Sequence, residues 1–157
     1  MKTDAIEHYL SQQALFAGLD EKYIAILSQH ARKLRIEKGE MLFRQGEPAE
    51  KFYVVCDGRV SIQIPSVYGP PLEIQALGND EVAGWSWLIA PYRWSFQAKA
   101  EQDTDLLEFD GPAILARCEA EPRFGFELLK RFAALMSERL EAARLKMMET
   151  WNPPGLA

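Results

Sequence analysis

Between Gly78 and Ala100 the chain reads G-N-D-E-V-A-G-W-S-W-L-I-A-P-Y-R-W-S-F-Q-A-K-A, and those residue types suit a binding pocket rather than a catalyst. Trp85, Trp87, Tyr92, Trp94 and Phe96 offer flat apolar surfaces, with Ser86, Arg93 and Ser95 as polar anchors among them. Ligand sites are often apolar with a few placed polar groups, so this set fits a flat, weakly charged ligand. The same aromatics bury large areas and equally suit the filling of a core. Both readings stay open on the residues alone.

Catalytic chemistry is poorly provided for. The only two histidines, His8 and His30, both fall in the N-terminal helical region, so no Ser/His/Asp or Cys/His set can be assembled. The strand region has no histidine to hold a metal. Cys56 and Cys118 are too few and too far apart for a disulfide framework or a metal knuckle, and are expected to be buried small apolar groups. No catalytic residue, metal or cofactor is expected, and the chain does not read as an enzyme.

The bulk numbers point the same way. A formal net charge of −5 argues against direct nucleic-acid binding, which needs a basic face. With 48% hydrophobic and 26% charged residues in 157, the chain is composed like an ordinary soluble domain. No apolar run approaches the roughly 20 residues that span a membrane, and no secretory signal is visible. A cytoplasmic location is the expectation.

The elements that must position the Gly78–Ala100 stretch follow from periodicity. Asp4 to Gln13 and Glu21 to Gln29 read as helices, with Asp20 a candidate N-cap. From Arg32 onward, turn signals recur at Lys38-Gly39, Gly46-Glu47-Pro48, Asp57-Gly58, Gly69-Pro70-Pro71, Gly78-Asn79-Asp80 and Asp110-Gly111-Pro112. Between them apolar residues alternate: Val60, Ile62 and Ile64; Leu72, Ile74 and Ala76; Phe96, Ala98 and Ala100. Period two with one apolar face means half-buried antiparallel strands. The expected fold is mainly β, an antiparallel jelly-roll barrel over about 32–110 with helices on both sides, in one domain over 1–150 and a tail at 151–157. Asp57-Gly58 is expected to close a two-residue hairpin.

After Pro112 the pattern is helical again, with Pro122 opening a helix to about Thr150. Leu128, Phe132 and Leu135 are expected to face the barrel. Beside them Leu129, Ala133, Met136, Leu140, Ala143 and Met147 alternate spacings of four and three, the seam of a helix pair. Self-association through that seam is expected; packing within the chain is the alternative.

Helices, a Gly-punctuated antiparallel barrel and closing helices, carried by Leu15-Phe16-Ala17-Gly18-Leu19, Lys38-Gly39-Glu40-Met41-Leu42-Phe43-Arg44-Gln45-Gly46-Glu47 and Phe52-Tyr53-Val54-Val55-Cys56-Asp57-Gly58-Arg59-Val60, resemble a cyclic nucleotide-binding domain of the catabolite-activator type. The resemblance covers roughly Leu15 to Leu140. It implies a sensor whose cyclic phosphate meets backbone N–H groups after a cassette glycine, an Arg on the next strand, and a Glu that binds the ribose hydroxyl. Gly84 matches the glycine, and the implied ligand site comprises Gly84, Trp85, Ser86, Trp87, Arg93, Trp94 and Ser95. Trp85 stands at the Glu position and cannot accept a hydrogen bond. Counted back from Ala100, the Arg position falls on Trp94. Arg93 is one residue off, which in a regular strand means the opposite face, and only a bulge or the Pro91-Tyr92 loop would turn it inward.

Tight binding of ordinary cyclic AMP is therefore not expected. The leading function is a stand-alone regulatory domain that binds a small, nucleotide-like molecule and signals through its C-terminal helices. The alternative is a ligand-free interaction or dimerisation module with an aromatic-filled pocket. With no room for a helix-turn-helix domain before Ala157, a direct transcription-factor role is not expected.

Overall fold

Phe52, Tyr53, Val54 and Val55 are all buried, which a strand achieves only when both of its faces are covered. That run lies in β3 (Lys51–Asp57), and the computed structural model shows what covers it. Residues 3–150 are described; the expected tail at 151–157 lies outside them. The other strands are β1 (Ala31–Ile36), β2 (Met41–Phe43), β4 (Val60–Ile64), β5 (Leu72–Leu77), β6 (Val82–Ala83), β7 (Gln97–Ala100) and β8 (Thr104–Asp110). The helices are α1 (Thr3–Gln12), α2 (Glu21–Gln29), α3 (Gly111–Ala120) and α4 (Pro122–Thr150).

The strands form two four-stranded antiparallel sheets, ordered β1-β8-β3-β6 and β2-β7-β4-β5, in the jelly-roll manner and without a closed barrel among the described residues. Tyr53, Val55 and Leu106 point between the sheets, where Ile62, Leu77, Ala98 and Ala100 meet them. Phe52, Val54, Leu107 and Phe109 point the other way, onto Phe16, Ile24, Ile114, Phe124, Leu128 and Phe132 of the helical segments. The first sheet is thus the middle of three layers.

Local chemistry sets the helix ends. The Asp20 carboxylate accepts the Lys22 N–H at 3.0 Å and caps α2, and Asp110 accepts the Ala113 N–H at 3.2 Å and caps α3. Gly125 lets α4 approach α3, since a Cβ there would lie 2.9 Å from the Cys118 carbonyl oxygen. Cys118 is half-buried at this contact, and burial pushes its thiol up to about 11.

Two expectations are corrected. Asp57-Gly58 does not close a hairpin: β3 pairs with β6 and β8, β4 pairs with β5 and β7, and the chain crosses between sheets at this point. Gly58 adopts φ +142°, its N–H donates to Asn79 Oδ1 at 2.9 Å, and a Cβ on it would strike Thr104 Oγ1 at 2.4 Å. The turn chemistry is present, but the residue it accommodates is Thr104 on β8, distant in sequence. In β5, Ile74 and Leu77 are buried rather than an unbroken Leu72, Ile74, Ala76 face. A register shift where Ile62 pairs with Gln75 and Gln63 with Glu73 inserts Ile74 as an extra residue and reverses the parity. That reversal brings the Gln75 side chain to Arg139 of α4.

Gly58→Ala tests the crossing. Both the left-handed backbone and the 2.4 Å approach to Thr104 penalise it. A loss of about 2 kcal/mol or more is expected in urea unfolding; an unchanged midpoint would show that the corner is not sterically closed.

Candidate functional site

A clamp of backbone and side-chain bonds leads into the site. Val55 N–H donates to the Glu81 carbonyl at 2.9 Å and Asp80 N–H to the Val55 carbonyl at 2.6 Å, fixing the turn before β6. From α1, Tyr9 Oη donates to the Asp80 carboxylate; just beyond its end, Gln13 Nε2 donates to the Asp80 carbonyl at 2.7 Å. Burial and the Asp80 bond hold the Tyr9 phenol well above its ordinary range. The chain then passes through Val82 and Ala83 to Gly84, at φ +104°.

What lies against Gly84 is an indole. A Cβ built on Gly84 would fall 2.9 Å from Cη2 and Cζ3 of Trp94, so the glycine admits the ring edge. Trp94 is 6% exposed and stacks on Phe43 with centroids 3.7 Å apart and planes 11° from parallel. Trp85 meets Phe96 edge-on at 5.7 Å beside it. The space remaining among Phe43, Gly84, Trp85, Ser86, Trp94 and Phe96 is a cavity of about 20 Å³. One water needs roughly 10–15 Å³ by this kind of measure, whereas drug-sized ligands occupy roughly 300–1,000 Å³.

Arg93 stands outside. Trp94 N–H donates to the Glu47 carbonyl at 3.0 Å, Gly46 N–H to the Trp94 carbonyl at 2.9 Å, and Ala49 N–H to the Tyr92 carbonyl at 2.7 Å. This short antiparallel zip holds Trp94 on the face that β7 continues with Ala98 and Ala100, and Arg93 on the opposite face. The Arg93 guanidinium is exposed, its Nη1 donating to the Gly46 carbonyl at 2.9 Å. Tyr92 adopts φ +57° as the first residue of this zip, one before Arg93, and Trp94 faces the cavity.

Of the residues singled out from sequence, Gly84, Trp85, Ser86, Trp94 and Ser95 line the cavity together. Trp87 does not. Its ring is 2% exposed, stacks on Phe52 at 5.0 Å and meets Phe132 edge-on at 5.2 Å, in the helix-facing layer. Tyr92 is 43% exposed in the loop.

One polar cavity residue was missed. Arg139 of α4 is 4% exposed, donating through Nε to Gln75 Oε1 at 2.9 Å and through Nη2 to the Val82 carbonyl. Burial lowers its pKa, opposed by the more distant Glu138 and Glu81 carboxylates; an arginine stays charged nonetheless. A signal existed. Leu128, Phe132, Leu135 and Arg139 follow one another by four, three and four, so Arg139 extends the core-facing stripe.

With this geometry in place, comparison with known proteins defines the class. The family model of the cyclic nucleotide-binding domain matches residues 33–121, and the chain belongs to that family. A protein of Rhodopseudomonas palustris named as a potassium channel is 33% identical over 109 residues, 69% of this chain and 26% of that protein. The cyclic AMP receptor protein of Thermus thermophilus is 27% identical over 133 residues, 85% of this chain and 60% of that one. The chain thus spans less than two thirds of either relative. In fold it is similar to a cyclic nucleotide-binding domain from Methylobacillus flagellatus, with TM-score 0.78 and 16% identity over 98% of this chain and 86% of that one. No helix among the described residues is long and apolar enough to cross a membrane.

Trp94→Ala tests whether the ring is structural. Deleting a fully packed Trp costs about 3–5 kcal/mol, and that loss is expected in chemical denaturation. A cost below about 1 kcal/mol would mark the indole as a loosely held flap.

Proposed function

We propose that this chain is a regulatory module of the cyclic nucleotide-binding family that does not take a cyclic nucleotide, and that it acts through self-association along α4. The observation that carries the first half is the Trp94 edge against Gly84, where a bound phosphate would meet the cassette backbone. Each charge-assisted bond that such a phosphate would lose, with Trp94 in the Arg position, is worth roughly 1.5–3 kcal/mol. The residual space of about 20 Å³ is far below what a nucleotide needs. Trp85 adds no acceptor for a ribose hydroxyl.

Support for the second half is the outer face of α4. Leu129 is 47% exposed, Leu140 72% and Met147 61%, along the stripe offset by one residue from the core-facing Leu128, Phe132 and Leu135. A second copy of the chain would supply a matching apolar stripe, and knobs of this spacing pack into a facing helix. The buried charge of Arg139 favours a second reading, in which the module also senses a small ligand. Neither reading makes the chain an enzyme or gives it a nucleic-acid surface, and a soluble, cytoplasmic regulator fits both.

Thermal melts with cyclic AMP, cyclic GMP and a cyclic dinucleotide, each at millimolar concentration, test the first half. No change in Tm is expected; at 100 times the dissociation constant a true ligand adds about 2.7 kcal/mol, which such melts would register. A saturable rise would refute nucleotide exclusion. For the second half, sedimentation velocity should show a concentration-dependent dimer that Leu140→Glu converts to monomer, because a charge placed in the apolar seam meets no partner. A wild-type chain that is monomeric at all concentrations would end the self-association reading.

A further inference from the structure

Four side chains close a circuit of hydrogen bonds between the helices and the turn before the cassette. From α1, Tyr9 Oη donates to the Asp80 carboxylate, and just past the helix Gln13 Nε2 donates to the Asp80 carbonyl at 2.7 Å. Gln13 is 4% exposed, and its Oε1 turns back to accept the Leu15 N–H at 2.7 Å and the Phe16 N–H at 3.2 Å. The carbonyls of that same turn, Leu15 and Ala17, accept from Nη1 of Arg131 on α4 at 2.7 and 3.0 Å. About two helical turns further along α4, Arg139 reaches Gln75 and the Val82 carbonyl. Asp80 and Val82 are two residues apart, so the circuit runs from α1 to the β5–β6 turn, on to α4 and back. An open groove of about 480 Å³ is bordered by Gln13, Asp80, Val82, Ala134 and Arg139. Packing is incomplete there, and the polar ties carry more of the contact.

We propose that α1 and the turn after it are a strap that sets the position of α4, so that this helix answers to the docking of α1 and not to a ligand between the sheets. α1 is short and lightly anchored: Ile6 and Leu10 are buried, while Asp4, His8 and Ser11 are exposed. Elements with few buried apolar contacts open at lower cost than the whole domain. The acceptors of Arg131 are the backbone carbonyls of the turn that Gln13 organises, so undocking of α1 takes them away from α4. Bonds from a charged donor are stronger than neutral ones, so their loss falls most heavily on that helix. With α1 docked, one placement of α4 is favoured; with α1 withdrawn, others become accessible. The proposal rests on the reading that the module takes no nucleotide, because an occupied cassette would compete for control of α4.

Hydrogen–deuterium exchange of the full chain tests it in Tyr9→Phe, which removes a bond to Asp80 and alters no group on α4. Amides of residues 80–83 and of α4 between Arg131 and Arg139 are expected to exchange about tenfold faster, while α3 and β1 keep their wild-type rates. Arg131→Gln should speed the same stretch of α4 and, across the circuit, the amides of residues 13–17. Unchanged α4 rates in Tyr9→Phe overturn the proposal, as does an equal acceleration of every element, the mark of general destabilisation. A folded Arg131→Gln with wild-type rates at 13–17 also overturns it; should that variant fail to fold, Tyr9→Phe decides the matter. A cyclic AMP arm on the wild-type chain separates the two readings. Slowed exchange at Gly84 and Ser86 with millimolar nucleotide refutes nucleotide exclusion, whereas unchanged α4 rates in Tyr9→Phe overturn the strap alone.

Discussion

The stack of Trp94 on Phe43, with its edge against Gly84, is the contact around which the rest of the site is arranged. It follows from strand parity. The zip between Gly46–Ala49 and Tyr92–Trp94 fixes which face Trp94 presents, and β7 continues that face with alanines small enough to leave room for an indole. A larger residue than glycine at 84 would collide with the ring. In the family pattern this glycine lets a phosphate approach the backbone; here the same absence of a Cβ lets a tryptophan approach it. One conformational property therefore serves either a ligand or a packed core, and the residue on the neighbouring strand decides which.

Much of this was legible in the residues. Helix boundaries followed from Asp20 and Pro122, and the two-residue period marked the strands. Counting back from Ala100 set Trp94 inward and Arg93 outward, although Ser95 and Phe96 form a bend ahead of β7. Sequence reasoning failed where a single extra residue or a distant partner intervened. The bulge at Ile74 reverses β5 in a way that local alternation cannot show. Gly58 has the chemistry of a hairpin turn, yet Thr104 on β8 and the pairing of β4 with β5 and β7 make it a crossing between sheets. Trp87 is only two residues from Trp85, but the cassette turn sends it into the helix-facing layer against Phe52.

Arg139 shows the complementary lesson. Its position on the stripe of Leu128, Phe132 and Leu135 makes it the charged member of an otherwise apolar face. Bonds to Gln75 and Val82 tie α4 to β5 and the start of β6, next to the cassette. The bulge that turns Gln75 toward the helix is thus part of the site. In this arrangement the positive charge near the pocket comes from the helix that would carry the output, not from the strand that lines the pocket. Arg139 is the α4 side chain that lines the cavity.

The central claim is that the protein's own indole occupies the place of a nucleotide. A ¹H–¹⁵N correlation spectrum recorded during titration with cyclic AMP tests it most directly, read at the backbone amides of Gly84 and Ser86 and at the Trp94 indole N–H. These signals are predicted to stay in place up to millimolar nucleotide. Saturable shifts centred on them would show that the ring yields to the ligand and that the site is an ordinary nucleotide pocket.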